Sequence, residues 1–251
     1  MQRGRVRGRD LSLRYVSWGD ASGDHADAEP LILLHGIGGA VEGWRSLAAA
    51  LAPRRPIVAL QARGHGDSDW ARDADYSTDA HFADLVSALA DLGIARCSLL
   101  GFSMGGGVAM VAAAARSELV SRCVVVDAYP APEMTQGSHG IARAIAGLRP
   151  SRWRPRIDPA IPEAFRRDLE AGVTARLDLW PFWEALDCPT LLVRGEASTV
   201  LPAPLAAEMT ARQPRASLVE VEGAGHGIPF THPEALAALV ARFLEGASPV
   251  E

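Results

Sequence analysis

The most distinctive stretch of the chain is GFSMGG, residues 101–106, because it places a serine in a sharp turn. The apolar run CSLL precedes Ser103 and the alanine-rich segment VAMVAAAA follows it, so the turn joins a strand to a helix. Glycines two positions before and after Ser103 tolerate strained backbone angles and leave its hydroxyl open. The amide of Met104 stands at a helix N-terminus, where it can stabilise an oxyanion. A glycine turn that only packs helix on strand would show the same local pattern.

Two more glycine-rich loops follow strand candidates. HGIGG, residues 35–39, comes directly after LILL, and we expect the amide of Ile37 to be a second oxyanion donor. His35 is interpreted as a residue that orients this loop through hydrogen bonds. GAGHG, residues 223–227, ends the run ASLVEVE. A histidine among glycines has little packing to do, which favours a solvent-reachable imidazole and makes His226 the candidate base.

These loops need a sheet that brings them to one edge. The pattern predicts buried strands in six short apolar runs: 31–36, 56–64, 97–103, 122–128, 189–195 and 216–223. Between them lie helical patterns, such as the apolar face of Phe82, Leu85 and Leu89, and a last helix that opens with a capping box from Thr231 to Glu234. Alternating strands and helices predict an α/β fold with a mostly parallel sheet covered on both faces.

Residues 129–183 interrupt this alternation. They are rich in proline, arginine and tryptophan and contain no clear strand, so they are interpreted as a small helical cap. The predicted organisation is a core of residues 1–128 and 184–251 with this cap inserted. Arginines at every second position of residues 3–9 are typical of the solvated face of an edge strand.

Composition narrows the classes of partner and compartment. The net charge of −5 gives no reason to expect nucleic acid or an anionic membrane surface as a partner. No apolar run reaches the length of a membrane span and no signal peptide is visible, which predicts a soluble cytoplasmic protein. Cys97, Cys123 and Cys188 are predicted to be buried and reduced. The histidines form no metal-ligand spacing, so no metal is expected.

The ordered set HGIGG, QARGHGDSD (residues 61–69), GFSMGG, PTLLVRG and GAGHG resembles the α/β-hydrolase superfamily. More narrowly, it resembles the small esterases, enol-lactonases and C–C hydrolases that carry a helical cap. The resemblance covers nearly the whole chain outside residues 129–183. It implies Ser103 as nucleophile, His226 as base, the amides of Ile37 and Met104 as oxyanion hole, and no cofactor.

The chain departs from the superfamily at the triad acid. Relatives usually carry an aspartate at the position of Thr199, in RGEASTVLP, and threonine cannot hold the charge that stabilises an imidazolium. We expect Asp127, at the end of the strand RCVVVD, to be the acid, because a carboxylate after that strand has this role in part of the superfamily. Glu196, or no acid at all, stays open as the alternative. Asp187 precedes its strand and therefore lies at the wrong edge of the sheet.

The resemblance implies hydrolysis of a carboxylic ester, lactone or related acyl compound through an acyl-enzyme. We expect a small apolar or aromatic substrate in a pocket between the cap and the sheet edge. Trp153, Trp180 and Phe182 are candidates for its lining, and the alternative for each of them is packing in the small core of the cap itself. Two other functions stay open. One is C–C bond hydrolysis on the same scaffold, and the other is a ligand-binding, receptor-like module with a weakened triad.

Overall fold

The fold of the protein is seen in a computed structural model that describes residues 1–19, 28–148, 157–173 and 177–247. Its centre is an eight-stranded sheet in the order β1-β2-β4-β3-β5-β6-β7-β8. The strands are β1 (Gln2–Arg7), β2 (Ser12–Trp18), β3 (Leu31–Leu34), β4 (Ile57–Leu60), β5 (Cys97–Phe102), β6 (Val120–Val126), β7 (Thr190–Gly195) and β8 (Ala216–Val221). Each predicted strand is present, and the α/β-hydrolase core is confirmed.

The sheet is parallel from β4 to β8, while β1 and β2 join it antiparallel at one edge. Parallel strands end at the same edge, so the loops after β3, β5, β6, β7 and β8 meet there. The predicted arginine-rich edge strand is β1, whose residues are mostly exposed except Val6.

The helices cover both faces of the sheet. They are α1 (Arg45–Leu51), α2 (Thr78–Asp91), α3 (Met104–Ala115), α4 (Gln136–Ala146), α5 (Ala160–Glu170), α6 (Trp180–Glu184), α7 (Ala203–Arg212), α8 (Ile228–Thr231) and α9 (Pro233–Leu244), with a 3₁₀ turn at Val41–Trp44. Within β3, Ile32 and Leu34 join the apolar cluster that contains α2, α3 and α6. Leu31 and Leu33 join the opposite cluster, with α1 and α9. The two-residue period of a strand therefore builds two cores from one sheet.

The start of α2 has a side-chain cap, whereas the capping box predicted for the last helix does not form. Ser77 is the N-cap of α2, where its hydroxyl accepts from the amide of Ala80. The predicted capping box at Thr231 is wrong, because Thr231 ends the short helix α8 and its hydroxyl donates to the carbonyl of Gly227. His232 precedes α9 without a side-chain cap.

The segment between β6 and β7 contains α4, α5 and α6. The last of these packs on α3, and the fully buried Trp183 donates its ring N–H to the carbonyl of Met209 at 2.7 Å. The boundaries of the cap at residues 129 and 183 stay a prediction. All three cysteines are buried and free, as expected. In the described part of the chain, no helix has the length and apolar character needed to cross a bilayer.

Candidate active site

Ser103 occupies the turn between β5 and α3 with φ 54° and ψ −118°, a conformation that side chains rarely adopt. The turn is held from two sides. The amide of Ser103 donates to the carbonyl of Val126 at 3.0 Å. A methyl group on Gly101 would lie 2.1 Å from the carbonyl oxygen of Gly105, so only glycine fits there. The sequence motif thus produces a strained, half-buried serine in the turn that it predicts.

His226 lies within hydrogen-bonding distance of Ser103. Its Nε2 is 3.2 Å from the Ser103 hydroxyl, and its Nδ1 is 2.7 Å from Oδ2 of Asp127. A carboxylate can only accept, so the imidazole N–H at Nδ1 donates to Asp127 and Nε2 is free to accept the serine proton. The ring of Phe102 lies against the imidazole, with 4.8 Å between the ring centres.

Asp127 is fully buried and accepts three hydrogen bonds. Besides His226, the Ser198 hydroxyl donates to Oδ2 at 2.6 Å and the Gly195 amide donates to Oδ1 at 3.1 Å. Its backbone has φ 47°, and its amide donates to the carbonyl of Val193 on the adjacent strand β7 at 2.8 Å. Three donors compensate for the loss of water around this charge.

The structure separates the alternatives for the acid. Glu196 is turned away and accepts from the amide of Gly223 at 2.9 Å. Thr199 is exposed, and its carbonyl accepts from the amide of Gly137. Asp187 is largely exposed and pairs with Arg215 at 3.0 Å. Of the candidates that the sequence offered, the structure brings Asp127 to His226.

The loop after β3 passes beside Ser103. A methyl group on Gly36 would lie 3.1 Å from Cβ of Ser103, which puts the following residue, Ile37, next to the nucleophile candidate. Among the described residues, the amides of Ile37 and Met104 have no hydrogen-bond acceptor. Two unpaired amides beside a serine hydroxyl can hold an oxyanion.

Two buried histidines support this loop. His35 Nδ1 donates to the carbonyl of Gly36, and Nε2 accepts from the amide of Ala62. His65 Nε2 accepts from the amide of Gly38 at 3.0 Å. Burial lowers the pKa of His35 to about 3 and also lowers the pKa of His65, so both rings stay neutral at physiological pH. His35 therefore orients the loop as interpreted from the sequence, and the sequence did not single out His65.

A cavity of about 520 Å³ opens onto Ser103 and Asp127. Its described wall is mostly apolar and includes Tyr76, Ser77, Thr78, Asp79, Met104, Gly107, Ala128, Tyr129, Ala131, Met134, Ser138, Ile141, Phe165, Leu177, Leu179 and Val200. No arginine, lysine or histidine belongs to this part of the wall. The residues between β6 and β7 contribute more than half of its apolar side chains.

Of the aromatic candidates for the pocket lining, Trp180 and Phe182 are not part of the described cavity wall. Trp180 lies under the guanidinium of Arg212, 4.1 Å from the ring centre, and Phe182 packs against the core around α3. Helix α6 packs on α3, and both side chains pack against the apolar cluster there instead of lining the cavity. Trp153 lies outside the described residues. Ser198, which donates to Asp127, was not foreseen, because one serine in a loop carries no distinguishing pattern.

The fold and this arrangement of serine, histidine and aspartate define the class of protein. Residues 31–239 match the model of the alpha/beta hydrolase family, and the chain belongs to that family. It is 31% identical over 275 residues to the sn-1-specific diacylglycerol lipase ABHD11 of Mus musculus, covering 94% of this chain and 87% of that protein.

Two further proteins extend the comparison. The chain is 27% identical over 278 residues to the 3-hydroxybutyrate-oligomer hydrolase of Cupriavidus necator, covering 94% of this chain and 93% of the other. The solved structure of the meta-cleavage product hydrolase CumD of Pseudomonas fluorescens IP01 superposes with a TM-score of 0.77 at 22% identity and covers 98% of each chain. At that identity the structural likeness supports the fold alone.

Proposed function

We propose that this hydrolase cleaves a carboxylic ester, a lactone or a related acyl compound through an acyl-enzyme. The observation that carries the proposal is the continuous chain of contacts from the Ser103 hydroxyl through His226 to the buried carboxylate of Asp127. In this proposal Ser103 is the nucleophile, His226 the general base and Asp127 the acid of the triad.

The geometry suits two successive acyl transfers. Ser103 Oγ attacks the substrate carbonyl while its proton passes to Nε2 of His226, and Asp127 stabilises the resulting imidazolium. The amides of Ile37 and Met104 hold the oxyanion. The imidazolium then protonates the leaving alcohol, which departs and leaves the acyl group on Ser103. A water molecule, deprotonated by His226, attacks the acyl carbonyl and releases the acid. These steps need no cofactor.

The cavity favours a small neutral substrate with an apolar acyl group. Its described wall is mainly apolar and carries no cationic side chain to pair with a free carboxylate, while Asp79 adds an exposed negative charge. The names of the two relatives, a diacylglycerol lipase and a 3-hydroxybutyrate-oligomer hydrolase, both denote cleavage of esters. They support the proposed class of reaction without deciding the substrate.

C–C bond hydrolysis is the second candidate, because it could use the same Ser103 and His226 and because CumD shares the fold. A receptor-like binding module has less support. Its premise was a triad without an acid, whereas His226 makes the required contact with Asp127.

A panel of p-nitrophenyl esters, glycerol esters, lactones and a vinylogous diketone tests the proposal, with Ser103→Ala as the matched control. We expect turnover of esters or lactones that is abolished in the control. Turnover of the diketone with no ester cleavage would favour the C–C hydrolase. No turnover, together with no labelling of Ser103 by a fluorophosphonate, would favour the binding module.

A further inference from the structure

A chain of three hydroxyl groups, two of which line the cavity, has protons that can be assigned. Tyr129 follows Asp127 by two residues, and Thr135 and Ser138 form the capping box of α4. The Tyr129 and Ser138 oxygens are 2.6 Å apart, and the Ser138 and Thr135 side-chain oxygens are 2.7 Å apart. Each of these short contacts needs one proton between its two oxygens.

The order of donation starts at Val200. Its carbonyl accepts from the Thr135 hydroxyl at 2.9 Å, and among the described residues this is the contact that satisfies it. With that proton committed, the proton between Thr135 and Ser138 has to come from Ser138. Ser138 has only one, so the proton between Ser138 and Tyr129 has to come from Tyr129.

Tyr129 therefore has no proton left for a ligand, but its oxygen keeps lone pairs. Ser138 is saturated, because it accepts from Tyr129 and also from the amide of Thr135 at 2.9 Å. Within the described part of the chain no other group donates to the Tyr129 oxygen. Both Tyr129 and Ser138 line the cavity that opens onto Ser103, so this unused acceptor lies on the wall of the substrate pocket.

Three other polar side chains of the described wall point the same way. The Tyr76 hydroxyl donates to Asp158, and the Ser77 hydroxyl donates to Asp75 at 2.6 Å, so both protons are committed. The exposed carboxylate of Asp79 can only accept. Away from the proposed oxyanion hole, these side chains and Tyr129 offer acceptors to a bound molecule, whereas the hydroxyl proton of Thr78, which also lines the described wall, is not committed.

We propose that the Tyr129 oxygen is a specificity-determining acceptor that selects esters carrying a hydroxyl group over esters whose corresponding oxygen has no proton. The proposal rests on the proposed ester hydrolysis and refines its substrate class. A substrate hydroxyl donates to Tyr129, whereas a methyl ether at the same position places lone pair against lone pair and leaves the acceptor unsatisfied.

The test compares hydroxy esters with their methyl ethers. The pairs are methyl β-hydroxyhexanoate, methyl ω-hydroxyhexanoate and hydroxyethyl hexanoate, each against the compound in which the hydroxyl is methylated. One neutral hydrogen bond predicts that kcat/KM favours the hydroxyl member of at least one pair by about three- to tenfold. The same ratio is measured in Tyr129→Phe, where we expect it to fall to about one.

Two variants sharpen the comparison. Ser138→Ala removes the acceptor of the Tyr129 proton, so the phenol becomes a donor and the preference shifts toward the methyl ether; a circular dichroism melt checks that α4 is intact. Tyr15→Phe is the matched control, because Tyr15 lies on β2 away from the cavity. It should leave the ratio unchanged.

Binding separates failure of this inference from failure of the proposed function. The same pairs are titrated calorimetrically into Ser103→Ala, where the dissociation constants should show the same preference and the same loss in Ser103→Ala/Tyr129→Phe. A protein that hydrolyses no ester but binds hydroxy compounds through Tyr129 would refute the hydrolysis alone. Equal kcat/KM and equal binding within every pair, or a preference that survives Tyr129→Phe, would overturn the acceptor site.

Discussion

Replacing Asp127 with asparagine separates the proposed acid from its rivals. The change keeps the shape of the side chain but replaces one acceptor oxygen with an NH₂ group. Asp127 receives three donors, from His226, Ser198 and Gly195, and an amide has only one oxygen to serve them. Neither orientation of the asparagine satisfies all three.

If the NH₂ group replaces Oδ2, it donates to Nδ1 of His226. The imidazole proton then moves to Nε2, which can no longer accept from Ser103. If the NH₂ group replaces Oδ1, it faces the N–H of Gly195, which cannot rotate away, and this costs about 1 to 3 kcal/mol. The first orientation is therefore favoured, and it holds the wrong tautomer. It also removes the charge that stabilises the imidazolium.

Loss of the tautomer and the charge predicts a fall in kcat of about 10³ or more, equivalent to about 4 kcal/mol of transition-state stabilisation. The assay is steady-state hydrolysis of p-nitrophenyl butyrate, with a thermal melt to show that the variant is folded. Glu196→Gln is the matched control, because Glu196 is exposed and a glutamine oxygen can still accept from the Gly223 amide. We expect less than about a twofold change. Small, equal losses in both variants, or a larger loss in Glu196→Gln, would refute the assignment.

Three other predictions concern the nucleophile, a hydrogen-bond donor to Asp127 and two buried histidines. A fluorophosphonate should label the wild type and not Ser103→Ala, as read by intact mass; labelling elsewhere would contradict the proposed nucleophile. Ser198→Ala removes one of the donors to Asp127 and should lower kcat for p-nitrophenyl butyrate about tenfold; a loss as large as that of Asp127→Asn would show a more direct role. Burial lowers the pKa of both His35 and His81 from 6.5 to about 3. Below pH 6.5 the unfolded chain therefore binds more protons than the folded chain, and stability decreases as the pH is lowered. Urea unfolding at about pH 5.5 should show about 2.5 kcal/mol less stability than at pH 7 for the two rings together, and an unchanged midpoint would contradict their neutrality.

Ser103 and His226 could be found in the sequence because their local surroundings identify them. Each lies among glycines directly after an apolar run, and such a run in a parallel sheet ends at the active edge. The oxyanion candidates Ile37 and Met104 follow from the same reasoning, since each is placed by its own strand.

The cavity was not predictable in the same way. Its wall depends on which faces of α4 and α5 turn inward. The alternation of strands and helices that predicts the sheet does not extend into this segment. Trp180 and Phe182 belong to a helix that packs on α3, and aromatic content alone could not distinguish pocket lining from core packing for them. The hydrogen-bonded chain of hydroxyl groups runs from Tyr129 to the carbonyl of Val200. The direction in which its protons are donated depends on distances that no sequence pattern reports.

The carboxylate of Asp127 and the groups that donate hydrogen bonds to it come from two neighbouring strands. β6 and β7 are adjacent and parallel, so the end of β6 supplies the carboxylate of Asp127 while β7 and the loop after it supply the donors Gly195 and Ser198. A second carboxylate on that loop, facing the same imidazole, would repel the first and raise its cost of burial. Threonine at position 199 avoids that repulsion. Thr199 therefore does not leave the site without a hydrogen-bond acceptor for His226. Asp127, at the end of the other strand, already accepts that hydrogen bond at 2.7 Å.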